Sequence, residues 1–189
     1  MDLANKKYTI ISVIGSHAGE GISQIFSRKQ KELDNNGKTY WLLKSFRAKT
    51  SQIQEICKQA AIEHEGVYCL FVGSSSKNGA RPTTQSMVVK YVSEDSNEWY
   101  AIPKSATITG KIDAQSTAIV LDELHLADPL PKIDLWNYSE FGTGSPLKLQ
   151  LGASTVCCDS TPSNTGMKSH VRDVVAWGKL VYPYAVYVK

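Results

Sequence analysis

The sequence predicts a mixed α/β or α+β fold, in which an N-terminal β-α-β-α-β unit with parallel strands precedes a β-rich, partly antiparallel half. In residues 1–84, three short apolar runs alternate with two segments whose apolar residues recur at helical spacing. In residues 85–189, short runs rich in β-branched and aromatic residues are separated by proline, glycine and serine. A chain of 189 residues fits a single domain, so we expect the two halves to share one core.

The N-terminal unit has strands predicted at residues 10–14, 40–43 and 68–72. The first helix ends at residues 35–37, Asn-Asn-Gly, because these residues tolerate the left-handed cap conformation. Its apolar residues are predicted on one face: Ile22, Ile25, Phe26 and Leu33. Its charged residues are predicted on the other faces: Arg28, Lys29, Lys31 and Glu32.

The second helix is predicted from a capping pattern and one apolar stripe. Ser51 followed by Gln54 is typical of a helix start, and Gly66 marks the region of the end. The stripe is formed by Ile53, Ile56, Cys57, Ala60 and Ala61.

The second half is predicted to begin with a hairpin, residues 86–92 and 98–102, joined by a polar turn. Further strands are predicted at residues 118–121, 133–136, 147–151 and 180–188. The serine- and threonine-rich segment 152–166 is predicted as a surface loop, and 171–177 as a short helix.

The bulk composition excludes several classes of protein. With 42% hydrophobic and 21% charged residues the chain has globular composition, and its net charge of +3 is too small for a strongly basic nucleic-acid binder. The N-terminal residues do not resemble a signal peptide, and no apolar run approaches the ~20 residues that cross a bilayer. The four cysteines lack paired CxxC spacing, which argues against structural zinc. We therefore expect a cytoplasmic protein with no membrane contact, no cofactor and no metal.

The loop after the first strand has the composition of an anion site. Gly15, Gly19 and Gly21 allow tight turns that present backbone N–H groups, next to the positive end of the following helix. His17 and Glu20 are weak catalytic candidates, His17 as an acid or base and Glu20 as its assistant. The loop has neither the lysine of a Walker A motif nor the G-x-G-x-x-G order of a dinucleotide fingerprint.

The loops after the second and third strands contain basic residues that suit phosphate: Arg47 and Lys49 in the second, and Ser75, Lys77 and Arg81 in the third. If the three strands are parallel and joined by helices, all three loops leave from one edge of the sheet, where open α/β sheets bind ligands. We therefore expect His17, Arg47 and Arg81 to face a common cleft.

Three further patterns have structural interpretations. Asp122-Glu123-Leu124-His125 imitates a helicase box, but no P-loop accompanies it, and we predict a strand that emerges into an acidic turn. Cys157 and Cys158 are predicted as buried filler rather than as a redox pair or nucleophile. The four tryptophans, at positions 41, 99, 136 and 177, could stack nucleic-acid bases, but core packing is the expectation for them.

The sequence favours a phosphate-recognising, nucleic-acid-binding component of a larger cytoplasmic assembly, without catalysis of its own, whose partners are RNA or single-stranded DNA and protein subunits. Two alternatives remain. The protein is an enzyme that acts on a nucleotide or another small phosphorylated substrate with His17 as acid or base, or it is a protein–protein interaction module that uses exposed strand edges.

Overall fold

The computed structural model of the protein describes residue 3 and residues 6–14, 21–43, 49–73, 91–93, 100–101, 116–147, 155–162 and 171–188. The β-α-β-α-β order of the N-terminal unit is confirmed. Its elements are β1 (Tyr8–Ile14), α1 (Ile22–Asn36), β2 (Thr39–Leu43), α2 (Thr50–Ile62) and β3 (Val67–Gly73).

The second half is rich in strands, as predicted. Its elements are β4 (Tyr91–Ser93), β5 (Tyr100–Ala101), β6 (Ser116–Leu126), β7 (Lys132–Asp134), a 3₁₀ turn (Leu135–Asn137), β8 (Ser139–Glu140), β9 (Thr155–Asp159) and β10 (Val171–Val188). The short strands β4 and β5 pair antiparallel, as the predicted hairpin requires.

The strand predicted at residues 133–136 ends at Asp134, because the 3₁₀ turn begins at the next residue. Three further predictions for this half are wrong. Residues 171–177 form the beginning of β10 rather than a helix, because residues 171–173 pair with β7 and residues 174–177 pair with β3 and, at their end, with β6. Residues 155–159 of the predicted surface loop form β9, which pairs with β1 and β8. Residues 122–125 continue the strand β6 instead of turning. In each case pairing with a strand distant in sequence decides the structure.

The start of α2 also differs from the prediction. Its N-cap is Lys49 rather than Ser51, and Gln52 Oε1 accepts a hydrogen bond from the Lys49 N–H at 3.2 Å. Thr50 is buried, and its hydroxyl oxygen lies 2.8 Å from that of Thr117 on β6. This contact between the two halves fixes where the helix begins.

The strands lie in one sheet with the order β2-β6-β10-β3-β1-β9-β8. Within the described residues, β1 and β3 are the one parallel pair, and their last residues, Ile14 and Gly73, lie side by side. β2 does not join them: it pairs antiparallel with β6, β6 with β10, and β10 with β3. Three successive reversals mean that β2 runs opposite to β1 and β3.

Both helices cover the same face of the sheet, which we call the helix face. Phe26 of α1 and Ile53 and Ile56 of α2 are buried there against residues from both halves of the chain. Trp41 lies in this layer, with its ring stacked on Phe26 at 5.3 Å and tilted against Phe71 at 4.4 Å between centroids. The expectation of core packing is confirmed for this tryptophan.

The opposite face, which we call the back face, has no α-helix over it among the described residues. Over β1, β3 and β9 it is covered by the N-terminal Leu3 and by the segment 133–147, which contributes Ile133, Leu135 and Tyr138. This cover buries Ile11 and Leu70 completely, while Tyr68 and Trp177 at its margin are half-buried.

Candidate functional site

Most of the residues predicted to bind phosphate, and the weak catalytic candidates, lie outside the described part of the chain: Gly15, His17, Gly19, Glu20, Arg47, Ser75, Lys77 and Arg81. Gly21 and Lys49 are described, as the N-caps of α1 and α2. The Gly21 N–H donates to Gln24 Oε1 at 2.8 Å, and the Lys49 N–H donates to Gln52 Oε1 in the same way. Both backbone donors are therefore used by the helix to which they belong.

The directions of the strands correct the expected convergence of the three loops. The loops that begin at residues 15 and 74 leave from one edge, because β1 and β3 are parallel and end together. β2 runs the other way, so the loop of residues 44–49 leaves from the opposite end of the sheet. The prediction that all three loops share one edge is wrong for the second loop, because β2 pairs with β6 and not with the parallel strands.

A group of aromatic and charged side chains that the sequence did not single out as a site lies on the back face, across three neighbouring strands. The imidazole of His125 on β6 stacks on the indole of Trp177 on β10, with 4.2 Å between centroids and 27° between planes. Tyr68 on β3 meets the same indole edge-on at 6.2 Å, and Lys6 Nζ lies 4.7 Å from the centre of the tyrosine ring. We call this group the sheet-face cluster; its members are Lys6, Tyr68, Glu123, His125, Trp177 and Lys179.

The charged members of the sheet-face cluster are loosely paired. Glu123 Oε1 lies 3.5 Å from Lys179 Nζ, and Glu123 Oε2 lies 3.8 Å from His125 Nε2. The side chains of Glu123, Lys179 and His125 are 41%, 40% and 51% exposed, so water screens these contacts, and each contributes at most about 1 kcal/mol. Such weakly held groups can reorient toward a ligand at little cost.

A β-bulge in β6 brings the charged residues to this face. Lys179 is paired with Glu123 and Leu180 with Leu121, so Asp122 is the extra residue. In a regular strand, residues three apart point to opposite faces, yet Leu121 and Leu124 are both buried in the helix-face core. The bulge therefore turns Glu123 toward Lys179, and His125 toward Trp177, on the back face.

The part of β6 that carries the cluster also lies at an edge of the sheet. β2 pairs with β6 only from Thr117 to Leu121. Among the described residues, no strand pairs with residues 122–126 on the side away from β10. The ring of His125 therefore has one face on Trp177, while its side chain is 51% exposed.

A second polar cluster is fully enclosed. Lys29 Nζ donates to Glu32 Oε2 and to the carbonyl oxygen of Tyr40, both at 2.6 Å, and the Thr39 hydroxyl donates to the Glu32 carboxylate. Lys29 and Glu32, which the sequence places outside the apolar face of α1, are nevertheless buried: their side chains are 6% and 0% exposed. Burial holds the pKa of Glu32 above its usual range, although Lys29 and Thr39 oppose the shift. Since a substrate has no access to this carboxylate, we assign the cluster to the joining of α1 and β2.

The cysteines behave as the sequence indicates. Cys157 and Cys158 are buried, and burial raises the pKa of Cys157 to about 12. A thiol held in its protonated form is a poor nucleophile. In the described ranges no group of three or more histidine, cysteine, aspartate and glutamate side chains is arranged to hold a metal ion. No helix in the same residues has the length and apolar character needed to cross a membrane.

No family model, no curated protein and no solved structure matches this chain, so the function is inferred from the geometry described above.

Proposed function

We propose that this protein binds single-stranded nucleic acid, RNA or single-stranded DNA, on the back face of its sheet, without catalysis of its own. The observation that carries the proposal is the sheet-face cluster: three aromatic rings on neighbouring strands, half-buried or exposed, with two lysines beside them. Bases of a single strand stack on such rings whatever their identity, because every base has a π-face. A sheet surface with exposed aromatics is a common platform for two or three unstacked bases.

The dimensions of the cluster suit this ligand. Tyr68, Trp177 and His125 lie on β3, β10 and β6, which are successive strands of the sheet. Two strand spacings give about 10 Å from the first ring to the last. A stretch of that width accommodates a short run of bases, whereas a duplex hides its base faces inside its own stack.

The charges of the cluster favour a modest electrostatic contribution to binding. Lys6 and Lys179 can neutralise two backbone phosphates, while the rings hold the bases. For a single strand, two such contacts give a slope of about −1.4 in log K against log salt, which is roughly a sevenfold loss of affinity between 50 and 200 mM salt. The small net charge of +3 agrees with this weak dependence.

The first and third glycine-rich loops remain part of the proposal as phosphate contacts. Trp177 is paired with Leu70, three residues before the end of β3 at Gly73. At about 3.3 Å per residue, the indole lies about 10 Å from the level at which that loop begins. Lys77 and Arg81 are therefore proposed to hold backbone phosphates next to the bases, and Arg47 and Lys49 are not, since β2 points away.

The test is binding of fluorescent single-stranded oligonucleotides of about ten nucleotides, measured by anisotropy. Trp177→Ala should weaken binding roughly 5- to 150-fold, since one base–aromatic stack contributes about 1–3 kcal/mol. His125→Ala should weaken it in the same direction, and because this side chain is 51% exposed the variant keeps the core intact. Tyr182→Ala is the matched control: Tyr182 is an aromatic residue of the same strand, 64% exposed, outside the cluster.

The expected result is loss of affinity in both cluster variants, unchanged affinity in the control, and unchanged melting temperature of His125→Ala. Binding of duplex as tightly as of single strands, or wild-type affinity in both Trp177→Ala and His125→Ala, would overturn the proposal.

A further inference from the structure

The carboxylate of Glu123 is the feature of the sheet-face cluster that phosphate binding does not explain. A negative charge between His125 and Lys179 opposes a polyanionic ligand. A carboxylate in a nucleic-acid site can contribute favourably by accepting hydrogen bonds from a base: glutamate accepts, for example, from the exocyclic amino group of cytosine.

We infer that Glu123 selects the bases with an exocyclic amino group, which are cytosine, adenine and guanine, against uracil; this inference rests on the proposed function. A base that stacks on the side of His125 away from Trp177 continues the His125–Trp177 stack. Among the described residues no strand pairs with β6 beyond Leu121 on that side, and the side chain of His125 is 51% exposed. The ring of His125 is thus the outermost surface on which a base can lie.

Glu123 is placed at the rim of that base. Its Oε2 atom lies 3.8 Å from Nε2 at the edge of the imidazole, so it also borders the edge of a ring stacked on the imidazole. Both this contact and the 3.5 Å contact with Lys179 are longer than a well-formed hydrogen bond. The carboxylate therefore has acceptor capacity available for a base.

The chemistry of the bases determines the direction of the selection. Cytosine, adenine and guanine offer an amino group to the carboxylate, at N4, N6 and N2 respectively, and the first two are compared with uracil in the experiment below. Uracil has a carbonyl oxygen, O4, at the corresponding position, and two oxygen acceptors repel each other. Lys179 stays beside the other carboxylate oxygen and limits the repulsion between Glu123 and the phosphates of the strand.

The experiment compares oligo(rC), oligo(rA) and oligo(rU) of equal length by fluorescence anisotropy, with wild-type protein and with Glu123→Gln. We expect oligo(rC) and oligo(rA) to bind roughly five- to tenfold more tightly than oligo(rU), the lower end of the range for one base-edge contact, because the site is partly exposed. In Glu123→Gln this preference should fall below about twofold, mainly through tighter binding of oligo(rU), to whose O4 the amide can donate. Oligo(dC) against oligo(dT) shows whether the preference extends to DNA.

Glu55→Gln is the matched control, since it makes the same change at an exposed position on α2, away from the back face. It should keep the wild-type preference. Equal affinity of the wild type for all three RNA oligomers, with binding still weakened by Trp177→Ala, would overturn the selection by Glu123 and leave the proposed function standing. Failure of all three to bind would overturn both.

Discussion

The buried ion pair between α1 and β2 gives a prediction whose size follows from the structure. Lys29→Met removes the cation and keeps a side chain of similar length. Glu32 then remains completely buried, with the Thr39 hydroxyl donating to it and the charge of Arg28 as a weaker electrostatic influence, and its Oε1 atom already lacks a hydrogen-bond partner. The carbonyl oxygen of Tyr40 also loses the donor at 2.6 Å.

Removal of one partner of a buried ion pair costs about 3–5 kcal/mol, because the other charge is left without compensation. This is a large fraction of the 5–15 kcal/mol that stabilises a typical domain. In a protein of this length, 1 kcal/mol corresponds to about 2–4 °C, so the melting temperature should fall by roughly 6–20 °C. The measurement is urea and thermal unfolding, followed by circular dichroism, for the wild type and Lys29→Met.

The destabilisation caused by Lys29→Met should also depend on pH. Burial raises the pKa of Glu32 above its usual range even beside Lys29, and loss of the lysine must raise it further. A carboxyl group whose pKa is higher in the folded state gives its full stabilisation below the pKa of the unfolded chain, and loses it as pH rises through the folded pKa. Lys29→Met should therefore be least destabilised in acid and most destabilised at neutral pH.

The double variant Lys29→Met with Glu32→Leu distinguishes this explanation from simple loss of packing. Replacing both charges by apolar groups should recover most of the stability lost in Lys29→Met. A loss below about 1 kcal/mol in the single variant, or a double variant less stable than the single one, would refute the reasoning.

Two other substitutions test the sheet and its attachment to α2. A Cβ at Gly178 would lie 2.7 Å from the backbone oxygen of Glu123, so Gly178→Ala should cost about 1–3 kcal/mol in urea unfolding and should weaken oligonucleotide binding. Gly73→Ala is the control and should cost little, because its Cβ would meet its nearest neighbour at 3.7 Å. Equal stability of the two variants would contradict this prediction. Hydrogen bonding, chiefly from Lys7, lowers the pKa of Glu63 to about 2. Glu63 therefore stabilises the fold at pH values above the usual carboxyl pKa, and this stabilisation is lost as the pH falls toward 2. The stability difference between wild type and Glu63→Gln should therefore shrink over that pH range, and a difference independent of pH would disprove the assignment.

The elements that the sequence predicts well are those whose signal is local. The apolar face of α1 and its end at Gly37 can be read from spacing and cap chemistry, and Gly37 has the expected positive φ of 69°. The first three strands are equally visible as short apolar runs between helical segments. The strands with which they pair cannot be predicted in this way. The pairing of β2 with β6 joins residues more than 70 positions apart, and neither segment contains a local pattern that indicates it.

The sheet-face cluster could not be predicted for the same reason. Tyr68, His125 and Trp177 occur in three segments with ordinary strand patterns, and only the register of β3, β10 and β6 brings their rings together. A tryptophan in an apolar strand is usually a core residue, as Trp41 is. What distinguishes Trp177 is its position at the margin of the back-face cover, which is a property of the assembled sheet.

A single irregularity in β6 connects the fold to the proposed site. Ile119 and Leu121 point into the helix-face core, and strict alternation would place Glu123 and His125 in that core as well. The extra residue Asp122 shifts the alternation, so that Leu124 takes the buried position and both polar side chains reach the back face. Burial of Leu124 is thus sufficient reason for the bulge to persist, and the exposed pair of Glu123 and His125 beside Trp177 is its consequence. Selection for a ligand can act on these two side chains without any change in the core that positions them.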